Sequence, residues 1–361
     1  MLDLLYAAIA GQALVFALAT VALARPLGLR WGLVDRPGGR RIHQQPTARC
    51  GGLGIYAAFA LTLLVDLAAM RLGLARSLLP ATLAPYIPNV VYVSDRLGAL
   101  FAGATLMMLT GLADDRFDLR PGLKLILQIL AALPLVAVGV TIKAFLPWPW
   151  VGAILTIVWV VLLTNSFNFL DNMNGLSAGV AAIAVFNFYL ISRAGHEYFM
   201  MAIFAALFGA LVGFLRYNFP RARLFMGDSG SLFIGYLIAG LSTMVTYYEA
   251  GVPTRLPVIA PLIVLGVPLF DTVSVLCIRW RNGAPLMRGD KNHFSHRLVA
   301  LGFSPTHAVL LIYVLAFSVG LTAVNLRWLP PAGALLALVQ CAAFFLIIYL
   351  LERTARKKLN Q

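Results

Sequence analysis

About eleven times along its 361 residues the chain runs through some 18–22 mostly apolar residues, the length a helix needs to cross a bilayer. The runs fall at approximately 3–24, 51–70, 97–113, 122–142, 148–165, 176–194, 197–215, 230–248, 256–278, 304–325 and 332–351. In hydrocarbon every backbone N–H and C=O must be paired inside the segment, so each run is restricted to a helix. The pattern therefore predicts an all-α polytopic membrane protein with about 11 transmembrane helices, built as a single integral membrane domain over 1–361. Composition agrees: 61% of residues are hydrophobic and 12% are charged, with a mean hydropathy of +0.87. Soluble globular chains of this size do not have that balance. The run holding Pro257, Pro261 and Pro268 is expected to be kinked, because proline removes a helical donor and crowds the preceding turn.

Charge sets the expected orientation. Most of the 28 Lys and Arg cluster in alternate loops: Arg25 to Arg49, Arg116 to Lys124, Arg216 to Arg223, Arg279 to Arg297, and the tail after Arg353. The positive-inside rule then places the N-terminus outside and the C-terminus in the cytoplasm. The first run is too long for a signal-peptide core and is preceded by Asp3, so it is expected to remain as a helix. The net charge of +14 does not point to nucleic acid, since the cations are scattered over membrane-edge loops and suit anionic headgroups. The three cysteines, Cys50, Cys277 and Cys341, have neither metal-ligand spacing nor a disulfide framework.

Four polar clusters open or close membrane runs on the predicted cytoplasmic side. The densest is NSFNFLDNMNGL, with Asn165, Asn168, Asp171, Asn172 and Asn174. Polar groups so dense at the mouth of a membrane helix are costly unless something polar binds there. GLADDRFDLRPGLK sets Asp114 beside Asp115 and brings in Lys124, a phosphate ligand or a snorkelling cation. RYNFPRARLFMGDSGSL opens a helix with Asp228 and Ser229 at its anion-favouring N-terminus. A carboxylate, a helix N-terminus and nearby Arg suit a magnesium–diphosphate, because Mg²⁺ takes one or two carboxylates plus phosphate oxygens and waters. The fourth cluster carries His293, His296 and Arg297, all capable of meeting phosphate. His43 and Arg49 lie in the membrane-proximal part of the first inside loop, and Asp271 lies within a run, where an acid needs a cavity or partner. Transporters usually place such groups near the bilayer midplane. A rim location suits an enzyme joining a water-soluble anion to a lipid, with a secondary transporter as the competing class.

GLADDRFDL, NSFNFLDNMNGLSAG, FMGDSGSLF and NHFSHRL, in this order, resemble the polyprenyl-phosphate N-acetylhexosamine-1-phosphate transferases. That superfamily includes the phospho-MurNAc-pentapeptide translocase and the UDP-GlcNAc:undecaprenyl-phosphate GlcNAc-1-phosphate transferases. The resemblance spans about 43–297, leaving two last helices over 304–351 and a basic tail at 352–361. It implies transfer of a hexosamine 1-phosphate from a UDP-N-acetylhexosamine to polyprenyl phosphate, with UMP released, in the bacterial inner membrane. It implies Mg²⁺, with Mn²⁺ as the alternative ion, held by Asp228, Asp115 and Asn168. By the same resemblance Asp114, Asp115, Asp171 and Asp228 are catalytic, Asp114 as the base for the lipid phosphate. Phe225 would stack on uracil and Asn218 would bind the base. Lys124, Asn165, Asn168, Asn174, His43, Arg49, His293, His296 and Arg297 would bind substrate. Two departures matter. Asn174 stands where many members have Asp, and His-Phe-Ser-His-Arg replaces a denser His triplet. The second, with an eleventh span, favours the GlcNAc branch over the MurNAc-pentapeptide branch. The oligomeric state stays open, a homodimer being one option.

Overall fold

The computed structural model describes residues 1–35, 47–74, 80, 83, 85–86, 90–143, 145, 147–285 and 292–359, with backbone alone at 90–93 and 351–359. Long helices dominate: α1 (Leu2–Arg30), α2 (Gly51–Arg71), α3 (Val90–Phe117), α4 (Pro121–Ala137), α5 (Pro149–Leu170), α6 (Leu176–Ala194) and α7 (Tyr198–Asn218). They are followed by α8 (Asp228–Met244), α9 (Ala260–Val264), α10 (Gly266–Arg281), α11 (Phe294–Ala300), α12 (Pro305–Asn325) and α13 (Pro331–Leu359).

The molecule is built around α8, which packs on α2, α3 and α5 and is buried without interruption from Ser229 to Ser242. Lipid tails are as apolar as the helices, so burial alone does not hold such a helix in place; close backbone approach and interhelical hydrogen bonds do. Glycines supply the approach. A Cβ at Gly52 would stand 2.1 Å from Gly230 N, one at Gly111 2.2 Å from Asp228 O, and one at Gly235 2.7 Å from Leu163 O. Trp159 Nε1 donates to Ser242 Oγ at 3.1 Å and Tyr236 Oη to the Ala131 carbonyl at 3.0 Å. Each such bond contributes roughly 0.6–2 kcal/mol in a membrane.

Among the described residues eight helices are long and apolar enough to cross a bilayer, and α9 with α10 forms a ninth, bent by 67°. The expected kink thus falls between Val264 and Gly266, where Pro268 has no N–H to give the turn before it. The two other expected spans, 122–142 and 230–248, are shorter than the sequence pattern suggests. They are α4 and α8, each of 17 residues, or about 26 Å at 1.5 Å per residue. α4 stops before Gly139, whose positive φ of 78° leaves the helix, and α8 stops where Thr246 N–H turns to Glu197. The chain is therefore an all-α polytopic membrane protein, to which the described residues add a pair of two-residue antiparallel strands, β1 (Val34–Asp35) against β2 (Thr47–Ala48).

The ends of the bundle differ in character. Asp3 at the start of α1 accepts two bonds from Arg193 at the end of α6. The polar motifs meet at the opposite end, where α6 begins.

Candidate active site

Asp228 is the first residue of α8, and Gly227 before it holds φ 73° and caps nothing with a side chain. The missing cap comes from another helix. Asp115 on α3 accepts the Asp228 N–H at 3.1 Å with one oxygen and the Ser229 N–H at 3.2 Å with the other. A carboxylate across two free N–H groups also opposes the positive end of the helix dipole. Gly227 is required there, since a Cβ would stand 2.5 Å from Asp115 Oδ2 and 2.6 Å from Arg49 O.

With its backbone capped, Asp228 turns its own carboxylate outward. Asn168 Nδ2 donates to Asp228 Oδ1 at 3.1 Å and to Ser231 Oγ at 2.9 Å. Lys124 Nζ lies 3.9 Å from Asp228 Oδ2 and 2.7 Å from Asp114 Oδ2. The Leu119 N–H holds the other Asp114 oxygen at 2.8 Å. Side-chain exposure separates the roles: Asp114 is 4% exposed, Lys124 26% and Asp228 33%. Asp228 and Lys124 can meet a ligand; Asp114 sits behind Lys124 and orients it.

Arg49 and Phe225 reach the same rim through backbone pairing. Phe225 N–H donates to Ala48 O, Gly51 N–H to Phe225 O and Gly52 N–H to Met226 O, each at 2.9 Å. Asp171 ends α5 half-buried. Burial pushes its carboxyl up to about 7; the charge of Asp115 adds to this and Arg49 opposes it. His43 lies outside the described residues.

Several expected substrate contacts are occupied by the protein itself. Asn218 is buried, accepting Gly175 N–H at 2.6 Å and donating to Leu224 O at 2.8 Å, so its amide ties two loops together. Asn174 Nδ2 donates to Pro220 O at 3.2 Å. Asn165 pairs with Gln128, a buried amide on α4 to which the motifs give no clue, at 2.6 Å. Arg297 is buried, donating to Asn292 O and, at 3.0 Å, to Ser274 Oγ. His293 does come to this end of the bundle: its ring lies 5.9 Å edge-on to Phe169, one residue after Asn168, and 6.5 Å from His296.

The chain matches the model of glycosyl transferase family 4 over residues 97–246, the stretch from α3 through α8. It is 30% identical over 350 residues to a protein of Bacillus subtilis named "Probable undecaprenyl-phosphate N-acetylglucosaminyl 1-phosphate transferase". That alignment covers 94% of this chain and 89% of the relative. It is 34% identical to the decaprenyl-phosphate N-acetylglucosaminephosphotransferase of Mycolicibacterium smegmatis, covering 80% and 74%. It is 27% identical to the undecaprenyl-phosphate alpha-N-acetylglucosaminyl 1-phosphate transferase of Yersinia pestis, covering 95% and 90%. The chain belongs to glycosyl transferase family 4.

The donors that this transferase offers a divalent ion are sparse. Among the described residues no three His, Cys, Asp or Glu side chains group closely enough to cage a metal by themselves. The available set is the outward carboxylate of Asp228, the Asn168 carbonyl and the remaining lone pairs of Asp115. Such a sparse oxygen set suits Mg²⁺, which completes its shell with phosphate oxygens and water. The transferase also holds two site-end residues that the motifs do not single out. Gln128 fixes Asn165, and Arg279 is buried with its guanidinium 5.3 Å over the Phe169 ring. A polar residue inside an otherwise apolar helix was the available signal for Gln128.

Proposed function

We propose that the protein transfers N-acetylglucosamine 1-phosphate from UDP-GlcNAc to a polyprenyl phosphate at the cytoplasmic face of the bacterial inner membrane. An oxygen of the lipid phosphate attacks the phosphorus bearing the sugar. The bond from that phosphorus to the bridging oxygen breaks, and UMP leaves with the bridging oxygen. One phosphoanhydride replaces another, so no other energy source is needed. The observation that carries this reading is the placement of Asp228: capped through its backbone by Asp115, outward through its side chain, and within 3.9 Å of Lys124. The names of the relatives supply the lipid and the sugar.

Asp228, Asn168 and Asp115 would hold Mg²⁺, which when bound would offset the charge of the donor diphosphate. Lys124 meets the second cluster of negative charge, the lipid phosphate, and Asp114 sets its position through the 2.7 Å ion pair. A phosphate monoester with a second pKa of about 6 is already largely dianionic at neutral pH, so Asp114 need not remove a proton. Phe225 offers a ring for uracil at the rim. Fixed charges of this kind act because they are in place before charge moves in the transition state.

The test is UMP release and lipid-linked product from the purified protein in vesicles with polyprenyl phosphate, across UDP-GlcNAc, UDP-GalNAc and UDP-MurNAc-pentapeptide. UDP-GlcNAc is expected to be used, with activity abolished by EDTA and restored by Mg²⁺. UMP release that does not need the lipid, or none from any donor, would overturn the reading.

A further inference from the structure

Asp271 takes no part in the chemistry above, yet it is 1% exposed within α10. A carboxylate there is costly unless its lone pairs are met. Both oxygens are met by the start of α11. Oδ1 accepts the Phe294 N–H at 2.5 Å, and Oδ2 lies 2.8 Å from His293 Nδ1. Against an ionised carboxylate, which only accepts, that contact requires the hydrogen on Nδ1. The ring is packed on a further edge as well. His293 is 4% exposed, with Phe169 against its edge and Phe169 in turn beneath the Arg279 guanidinium. The neighbouring residues reinforce the placement. Ser295 Oγ donates to Asn172 Oδ1 at 2.6 Å, which joins the start of α11 to the loop after α5.

We propose that Asp271 is a positioning residue that keeps the proton of His293 on Nδ1, so that Nε2 is the ring atom left to accept a hydroxyl or N–H of the nucleotide sugar. This rests on reading the chain as a phosphoglycosyl transferase. The arrangement gives a task to a buried acid that lies outside residues 97–246, the stretch matched by the family model. An orienting partner on the far nitrogen of a histidine fixes both its tautomer and the direction of the free nitrogen. Asn at 271 would retain the shape. Its amide nitrogen, however, would face either Nδ1, forcing the proton to Nε2, or the Phe294 N–H, leaving two donors opposed.

A double-mutant cycle on the full-length protein separates this role from simple docking of α11. kcat and KM for the nucleotide sugar, together with Tm, are measured for wild type, Asp271→Asn, His293→Ala and the double variant. Asp271→Asn is expected to lower kcat/KM by about 10–100-fold. In the His293→Ala background it is expected to change kcat/KM by less than about twofold, since groups acting as a unit are not additive. Losses that multiply would overturn the proposal, as would an unaffected Asp271→Asn enzyme. Should Asp271→Asn fail to fold, the ring ¹⁵N spectrum of His293 in the wild-type protein decides, assigned among the five histidines by its loss in His293→Ala. A proton on Nδ1 supports the proposal, and a ring protonated on Nε2 alone refutes it. Absence of transferase activity in the wild type would sink the functional reading, while that spectrum would still decide the role of Asp271.

Discussion

Replacing Gly111 by alanine probes whether the site is set by backbone contact between α3 and α8. A Cβ at 111 would stand 2.2 Å from the Asp228 carbonyl oxygen and 2.3 Å from both Asp228 C and Ser229 N. Ordinary contact begins at 3.4 Å, so going from 2.2 to 3.4 Å requires the helices to part by about 1.2 Å. The obstructing atoms are backbone, with no rotamer into which to retreat. Asp115 lies one turn further on the same face of α3. Its 3.1 Å bond to the Asp228 N–H would open to about 4.3 Å, beyond any useful hydrogen bond. Overpacking costs about 1–3 kcal/mol and loss of the cap about 1–2, so destabilisation of about 2–5 kcal/mol is expected. Displacement of Asp228 by about 1 Å is expected to lower kcat by about 10²-fold. Gly98, also on α3, is the control, because nothing lies within 4 Å of a Cβ there. Tm and Mg²⁺-dependent UMP release are measured for both variants. Wild-type behaviour of Gly111→Ala, or equal damage from Gly98→Ala, would refute the reasoning.

Three further substitutions address single contacts. Asp228→Asn is expected to lower kcat by at least about 10²–10³-fold while Tm holds, because the amide keeps the side chain's shape and an oxygen for Asn168 Nδ2; retained turnover would remove Asp228 from the chemistry. Phe225→Ala is expected to raise KM for the nucleotide sugar by about 5–150-fold, the equivalent of about 1–3 kcal/mol of stacking. An effect confined to the lipid KM would contradict the uracil role. Asp171, held at about 7 by burial, favours its neutral form in the folded protein, so its burial costs nothing below about pH 4, destabilises progressively between about pH 4 and 7, and costs its full amount above 7. In chelator, Asp171→Asn is therefore expected to raise Tm relative to wild type above pH 7 and to match it near pH 4. The ceiling is about 4 kcal/mol, reduced by solvent reaching the half-buried side chain. A difference that does not change with pH would show that Asp171 is ordinarily charged throughout.

The helices were legible because their signal is local: an apolar run of the right length has only one structure open to it in lipid. Where the expected ends were too long, at α4 and α8, the stop is set by Gly139 and by a contact between Thr246 and Glu197, the latter distant in sequence. The gathering of Asp114, Asp115 and Asp228 was also legible, since each sits where a run meets a polar loop. What composition and spacing do not carry is the division of labour within the gathering. Asp115 and Asp228 read alike in sequence, as acids beside a membrane helix. One accepts two N–H groups and builds the terminus; the other, standing on that terminus, turns its carboxylate outward to Asn168 and Lys124. Asn218 and Arg297 show the same limit from the opposite side, since both have ligand-like chemistry and both are engaged by the protein's own backbone or side-chain groups. A buried polar group must have its partners, and which partner it finds depends on helix packing that no single segment encodes. That is why Asp271 looks like an isolated charge in the sequence, and becomes intelligible only once α11 places His293 against it.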